Sequence, residues 1–227
     1  MKTETSKYSG IYFLHKKNNK YILTKNLTPG KTFFSEKTIG SYRVFNPLHS
    51  KLAAAIMQDI KDTYIKKNDK ILYLGAAHGY TISFISDIIQ EKGLIYAVEF
   101  APSVAKELIF LSEQRSNILP ILADANQPEK YKNRISKEVN VLYQDISQKN
   151  QAEILLKNLI FLKNGGYVLF SAKARSIDTT KEPSKVFKEI VLAISRELEI
   201  LESVRLEPFE RDHCLFICKK VAKPLKK

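Results

Sequence analysis

The sequence predicts an α/β fold: a largely parallel sheet closed by a C-terminal antiparallel hairpin and preceded by a small β-rich N-terminal domain. Three observations carry this expectation. Beyond Pro47, short apolar runs alternate with helix-length segments, the pattern of parallel strands joined by crossover helices. Before it, short β-prone runs alternate with turn signals. Near the C-terminus two apolar runs are separated by Glu207-Pro208-Phe209-Glu210-Arg211-Asp212-His213, enough for a hairpin and too little for a crossover helix. The boundaries are set at residues 1–46 and 47–227.

In the first part, residues 11–14, 21–24, 32–35 and 42–45 read as strands, with Lys17-Asn18-Asn19-Lys20 and Thr28-Pro29-Gly30 as turns. Leu52, Ala53, Ile56, Met57 and Ile60 then recur at helical spacing. The strands that follow are expected at 70–74, 94–99, 118–122, 139–143 and 167–171, with crossover helices between them, so these five should be parallel. Residues 203–206 and 214–219 form the late pair, and one antiparallel strand should end the sheet. The basic stretch 219–227 reads as a solvated tail.

At 227 residues and 44% hydrophobic content the chain can bury a sizeable core. Lys and Arg number 37 against 24 Asp and Glu, a formal charge of +13 that favours a polyanionic partner, nucleic acid or an anionic surface, over an acidic small molecule. No run approaches the roughly 20 apolar residues of a spanning helix, and the first residues lack a signal-peptide core, so the reading is a cytoplasmic protein with no membrane partner. Cys214 and Cys218 share one face of a strand, with no Cys or His pair at zinc spacing nearby, and read as free core thiols with no metal site.

In a parallel sheet ligands bind at the carboxyl ends of the strands, so the residues just after each apolar run are informative. The first run leads into Gly75-Ala76-Ala77-His78-Gly79-Tyr80-Thr81, whose small residues let a ligand approach the backbone before a helix begins. The spacing differs from the Gly-x-Gly-x-x-Gly of dinucleotide sites. The second run ends in Glu99-Phe100, an acid able to accept from both ribose hydroxyls beside a ring able to flank a purine. The third is followed by Asp124-Ala125, where the carboxylate can accept from an adenine amino group or simply begin a turn. The fourth leads to Asp145-Ile146-Ser147-Gln148, an acid placed to face a cofactor amine or the reacting centre. Each acid alone reads as structural; together they point to a nucleoside ligand.

Lys173 follows the fifth strand, where a catalytic cation would stand, although a lysine with its stem on the sheet and its amine in water fits as well. Lys51 opens the helix before the first strand and alone reads as a surface lysine. His213 opens the last strand, facing the site or bonding to a backbone carbonyl.

Several of these stretches together closely resemble the fibrillarin family: Tyr42-Arg43-Val44-Phe45-Asn46-Pro47, Ser50-Lys51-Leu52-Ala53-Ala54-Ala55-Ile56, Tyr73-Leu74-Gly75-Ala76-Ala77, Tyr96-Ala97-Val98-Glu99-Phe100, Leu162-Lys163-Asn164-Gly165-Gly166 and the run from Glu207 to His213. Their order and spacing agree with the family from about Tyr42 to His213. The resemblance implies a Rossmann-like S-adenosylmethionine-dependent methyltransferase domain behind a β-rich module, of archaeal type, without the Gly/Arg-rich leader of eukaryotic members. It implies transfer of a methyl group to an RNA ribose 2′-oxygen, in rRNA and by extension tRNA. Target choice then falls to a box C/D guide RNA, and the partners implied are a Nop-family scaffold and a kink-turn-binding protein of the L7Ae type.

By the same resemblance the cofactor contacts fall on Gly75, Tyr80, Thr81, Glu99, Phe100, Asp124, Ala125, Asp145, Ile146, Ser147 and Gln148. Related RNA 2′-O-methyltransferases imply that Lys173 holds or deprotonates the 2′-hydroxyl, that Asp145 orients Lys173, and that Lys51 and His213 complete the site. Two departures stand out. Where the family usually carries Ser then Thr-Thr, this chain has His78-Gly79-Tyr80-Thr81, which is expected to place a bulkier ring beside the methionine end of the pocket. Gln144-Asp145-Ile146-Ser147-Gln148 replaces Ala-Asp-Val-Ala-Gln and keeps the acid. Two alternatives are a non-catalytic RNA-binding or assembly subunit retaining the fold and a methyltransferase acting on a small metabolite; the charge and the absence of a dedicated substrate-lid domain count against the second.

Overall fold

The computed structural model of the protein describes residues 3–17, 19–136 and 138–221. A five-stranded antiparallel sheet comes first, built from β1 (Glu4–Thr5), β2 (Ile11–Lys16), β3 (Asn19–Lys25), β4 (Thr38–Ile39) and β5 (Tyr42–Phe45), in the order β1-β2-β3-β5-β4. Residues 32–35, expected as a strand, form none, and 33–35 bend, because Glu36 folds back and accepts from the Phe33 and Phe34 N–H groups at 3.1 and 2.8 Å. Those N–H groups are satisfied by a side chain, so no ladder forms.

The rest is α1 (Lys51–Met57), β6 (Lys70–Leu74), α2 (Tyr80–Ile89), β7 (Leu94–Glu99), α3 (Pro102–Gln114), β8 (Ile118–Leu122), β9 (Val139–Gln144), α4 (Gln151–Asn158), β10 (Leu162–Lys173), α5 (Ala174–Ile177), α6 (Pro183–Ile194), β11 (Leu198–Arg205) and β12 (His213–Lys220). The seven strands run in the order β11-β12-β10-β9-β6-β7-β8. β10, β9, β6, β7 and β8 pair in parallel, as expected. Two expectations need correction. Between β8 and β9 the chain makes two 3₁₀ turns, Pro128–Lys130 and Lys132–Arg134, where a crossover helix was expected. β12, antiparallel to both β10 and β11, lies one strand in from the edge, and β11 ends the sheet.

Both faces of the sheet are covered, which is why its central strands are apolar throughout. On one face α1, α2 and α3 share a core with Tyr8, Ile11, Ile22 and Phe45 of the N-terminal sheet; on the other, α4 and α6 pack over Leu72, Leu142, Val168 and Phe216. Cys214 and Cys218 are free and buried in this second core, where burial pushes both thiols up to about 12.

A buried ionic network joins the N-terminal sheet to α2. Asp87 accepts from Thr24 Oγ1, the Leu27 N–H, Arg43 Nη1 and Arg115 Nη1 at 2.7, 2.9, 2.9 and 2.5 Å, filling its four lone-pair positions. Arg43 also bonds to Glu36 at 2.6 Å and to Ser83 Oγ at 2.8 Å. Among the described residues no helix is long and apolar enough to cross a membrane. Residues 222–227 of the expected basic tail lie outside the described residues.

Candidate active site

The chain runs outward from β6 through β7 to β8, then returns to place β9 on the other side of β6. The order reverses between β6 and β9, and the crevice at such a reversal, beyond the carboxyl ends of the strands, is where open α/β sheets bind ligands. Leu74 and Gln144 are partners across this reversal, and the Asp145 N–H donates to the Leu74 carbonyl at 2.9 Å.

Gly75 sits in the gap with φ +80°, and a Cβ there would collide with the Asp145 carbonyl. Only glycine combines that backbone with that proximity. Gly79 caps α2 at φ +92°, where a Cβ would stand 2.7 Å from Leu111 Cδ2. Between them, Ala77 donates its N–H to Glu99 Oε2 at 2.8 Å, while Glu99 Oε1 accepts from Phe100 and Ala101 at 2.9 and 2.8 Å. Three of the carboxylate's roughly four acceptor positions are thus held by backbone, which fixes its orientation and leaves capacity for a ligand hydroxyl.

A cavity of about 290 Å³ opens here, lined by Gly75, Ala77, Val98, Glu99, Phe100, Ala123, Ala125, Asp145, Ile146, Ser147 and Gln148. Eight of these were expected as contacts from the sequence, and Ala77 belongs to the small-residue turn already singled out; Val98 and Ala123 were missed because apolar residues at strand ends carry no chemical signal. Phe100 is 65% exposed at the cavity, an aromatic face with no core function. Asn126 holds the Gln148 amide at 2.7 Å. A larger hollow of about 650 Å³ between residues 30–34 and α3 is lined by none of the expected site residues.

Three expected cofactor residues point their side chains elsewhere. The Tyr80 ring lies against Phe34, His49 and Phe84, with centroids 5.4, 5.6 and 5.1 Å away, and its hydroxyl accepts from the Asn46 N–H at 3.3 Å. The expected bulky ring beside the pocket is therefore corrected: it packs toward the N-terminal sheet, whose apolar surface draws it there. Thr81 donates its hydroxyl to Ser50 Oγ at 3.0 Å. Asp124 accepts from the Asn126 N–H at 2.9 Å and from Gln127 Nε2 at 3.2 Å, closing its own turn. The Tyr80 and Thr81 N–H groups stand in the first turn of α2, where helix donors have no intrahelical partner.

Beside the cavity the four residues singled out for chemistry come together. Lys51 Nζ lies 3.2 Å from Asp145 Oδ2 and 4.0 Å from Glu210 Oε1. Asp145 thus pairs with Lys51, and among the described residues Lys173 makes no ion pair with it, a correction to the expectation that Asp145 orients Lys173. Burial works to lower the Lys51 pKa, but the charges of Asp145 and Glu210 outweigh it and raise the value, so this amine stays protonated. Lys173 and His213 are direct partners across β10 and β12, which puts their side chains on one face of the sheet. Gln151 clamps the Lys173 backbone, accepting from its N–H at 3.1 Å and donating to its carbonyl at 3.3 Å. His213, 6% exposed, donates Nδ1–H to the Arg211 carbonyl at 2.8 Å, and its Nδ1 stands 3.9 Å from Glu210 Oε2. Glu210 escaped sequence reasoning; its place three residues before His213 in a polar hairpin was the available signal.

The family model described as fibrillarin matches residues 2–222. The fibrillarin-like rRNA/tRNA 2′-O-methyltransferase of Thermococcus onnurineus is 45% identical over 226 residues, covering 97% of this chain and all of that one. The solved fibrillarin of Aeropyrum pernix, in complex with natively bound S-adenosyl-L-methionine, is 42% identical, with a TM-score of 0.88 over 96% of this chain and 98% of that one. A solved fibrillarin in complex with Nop5p is 36% identical, with a TM-score of 0.86 over 95% of this chain and all of that one.

Proposed function

The chain belongs to the fibrillarin family, and on that footing we propose that it transfers the methyl group of S-adenosylmethionine to ribose 2′-oxygens of rRNA and tRNA, as the catalytic subunit of a box C/D guide ribonucleoprotein. The observation that carries the reading is the meeting of two sets of groups at one sheet edge: a cavity of about 290 Å³ lined by Glu99 and Phe100, and beside it Lys51, Asp145, Lys173 and His213.

The cavity suits the cofactor. Glu99 is held ready to accept a ribose hydroxyl, Phe100 offers a face to a purine, and Gly75 keeps the chain clear of Asp145. Ala123, Ala125 and residues 145–148 line the cavity and would enclose the adenine. The bound cofactor supplies a methyl group already activated by its sulfonium charge.

What remains for the protein is alignment and management of one proton. Lys173, in the neutral amine form this role requires, would accept the 2′-hydroxyl hydrogen bond and take up its proton as the oxygen bonds to the methyl carbon and the methyl–sulfur bond breaks, S-adenosylhomocysteine leaving as a neutral thioether. Lys51, held protonated by Asp145 and Glu210, supplies fixed positive charge and keeps the Asp145 carboxylate in place. His213 stands on the same face as Lys173.

A charge of +13 grips phosphates without reading sequence, so a guide RNA selects the target. A Nop-family scaffold docks the subunit, as in the Nop5p complex of its relative, and an L7Ae-type protein completes the assembly. The test is to reconstitute the complex with two guides of different sequence and map 2′-O-methylation along one target RNA. Methylation that moves with the guide supports the reading; a fixed position, or none despite cofactor binding, refutes it.

A further inference from the structure

Two guanidiniums meet on one carboxylate oxygen at the rim of the site. Arg175 Nε stands 3.3 Å and Arg211 Nε 3.9 Å from Asp212 Oδ2, so one acid gathers two cations and the trio keeps a net positive charge. The arrangement is anchored on both sides. The Asp212 carbonyl accepts from the Ala174 N–H at 3.0 Å, its own N–H donates to Glu207 Oε1 at 3.0 Å, and Arg175 Nη1 donates to the Thr179 carbonyl at 2.9 Å. Asp212 adopts φ +58°, a left-handed backbone uncommon outside glycine.

Arg211 does little for the fold. The Arg211 side chain is 91% exposed, and its contact with Asp212 is a loose surface pair. The positions of both arginines are informative: Arg175 lies two residues beyond Lys173 and Arg211 two before His213, and Lys173 faces His213 across the strands. Both guanidiniums therefore stand on segments that directly adjoin the Lys173–His213 pair.

Resting on the function proposed above, we infer that Arg175 and Arg211 together bind a backbone phosphate of the RNA strand adjoining the target ribose. Guanidinium forks match phosphate oxygens bidentately, and a shared acid that pre-positions them reduces the side-chain freedom lost on binding. Phosphate is favoured over a protein carboxylate because any nucleotide that brings its 2′-hydroxyl to Lys173 carries its own phosphates past this rim.

The test uses the assembled complex with wild-type protein, Arg211→Gln and the Arg175→Gln/Arg211→Gln double variant, titrating target RNA by binding and by single-turnover methylation at several salt concentrations. Arg211→Gln is expected to raise the RNA concentration for half-saturation about fivefold and to reduce the salt slope by about one, with cofactor affinity unchanged. The double variant should lose more of both, and Arg175→Lys, which keeps the charge without the fork, should fall between. Unchanged half-saturation and slope in the double variant would overturn the inference. So would loss of assembly with the scaffold at unchanged RNA affinity in intact complexes, which would make the guanidiniums a protein contact. If the wild type binds RNA but transfers no methyl, the proposed function fails instead, and the binding titration still decides the phosphate contact.

Discussion

The Lys51 ammonium lies 3.2 Å from the Asp145 carboxylate, one at the start of α1 and the other just beyond β9, while Glu210 from the hairpin stands 4.0 Å away on the same ammonium. Three segments distant in sequence thereby deliver alternating charges to one edge of the sheet, where Asp145 also lines the cavity. The two acids hold Lys51 protonated, and the proton acceptor proposed above is Lys173, for which no ion pair is found among the described residues.

Replacing Lys173 with alanine should therefore lower single-turnover methyl transfer by about 10²- to 10⁴-fold, the usual contribution of a general base, while cofactor affinity stays within about twofold. Rapid quench with labelled cofactor separates these. Normal transfer would remove Lys173 from the mechanism, and lost cofactor binding would make it structural.

Lys51 and Asp145 should be energetically coupled. In a double-mutant cycle with Lys51→Met and Asp145→Asn, followed by chemical denaturation, the coupling should be about 0.5–3 kcal/mol, the range for contacting residues. Strict additivity would mean that the pair is incidental.

Gly75→Ala should abolish cofactor binding and lower stability by about 1–3 kcal/mol for the left-handed backbone alone, with further loss from the collision at Asp145. Calorimetry with and without cofactor reads both. A variant that still melts later when cofactor is added would show that the turn tolerates the methyl group.

Acid should loosen the junction between the N-terminal sheet and α2. Burial works to raise the Glu36 pKa, but the Phe34 N–H and the Arg43 charge outweigh it and hold the carboxyl below its ordinary 4.5. A depressed folded value contributes stability that is present above pH 4.5 and is lost as pH falls through that lower value. Denaturation midpoints should drop below about pH 4.5 in the wild type, and this part of the slope should flatten in Glu36→Gln. Parallel slopes would assign the acid sensitivity elsewhere.

Much of this was legible in the sequence, for physical reasons that differ by element. The runs at 70–74, 94–99 and 118–122 match their strands because buried parallel strands must be apolar and are punctuated by turns. β10 begins earlier than the expected residue 167, because the structure takes Lys163-Asn164-Gly165-Gly166 into the strand as an irregularity between Leu162 and Tyr167, with Gly165 at φ +69°. Glu99 and Asp145 could be found because acids at strand ends are chemically conspicuous. The direction of the Tyr80 ring could not, since it depends on Phe34, Phe45 and His49, whose placement no spacing in α2 encodes. The same holds for Asp87, whose partners Thr24, Arg43 and Arg115 meet only in three dimensions.

The most direct measurement is transfer of label from S-adenosylmethionine to a guide-paired RNA, made with reconstituted partners and with a matched target lacking only the 2′-hydroxyl at the selected position. Label entering the hydroxyl-bearing RNA and not the 2′-deoxy RNA is the predicted result. Equal labelling of both, or no labelling despite bound cofactor and an intact assembly, would contradict the account and leave the chain a scaffold that keeps the fold without the chemistry.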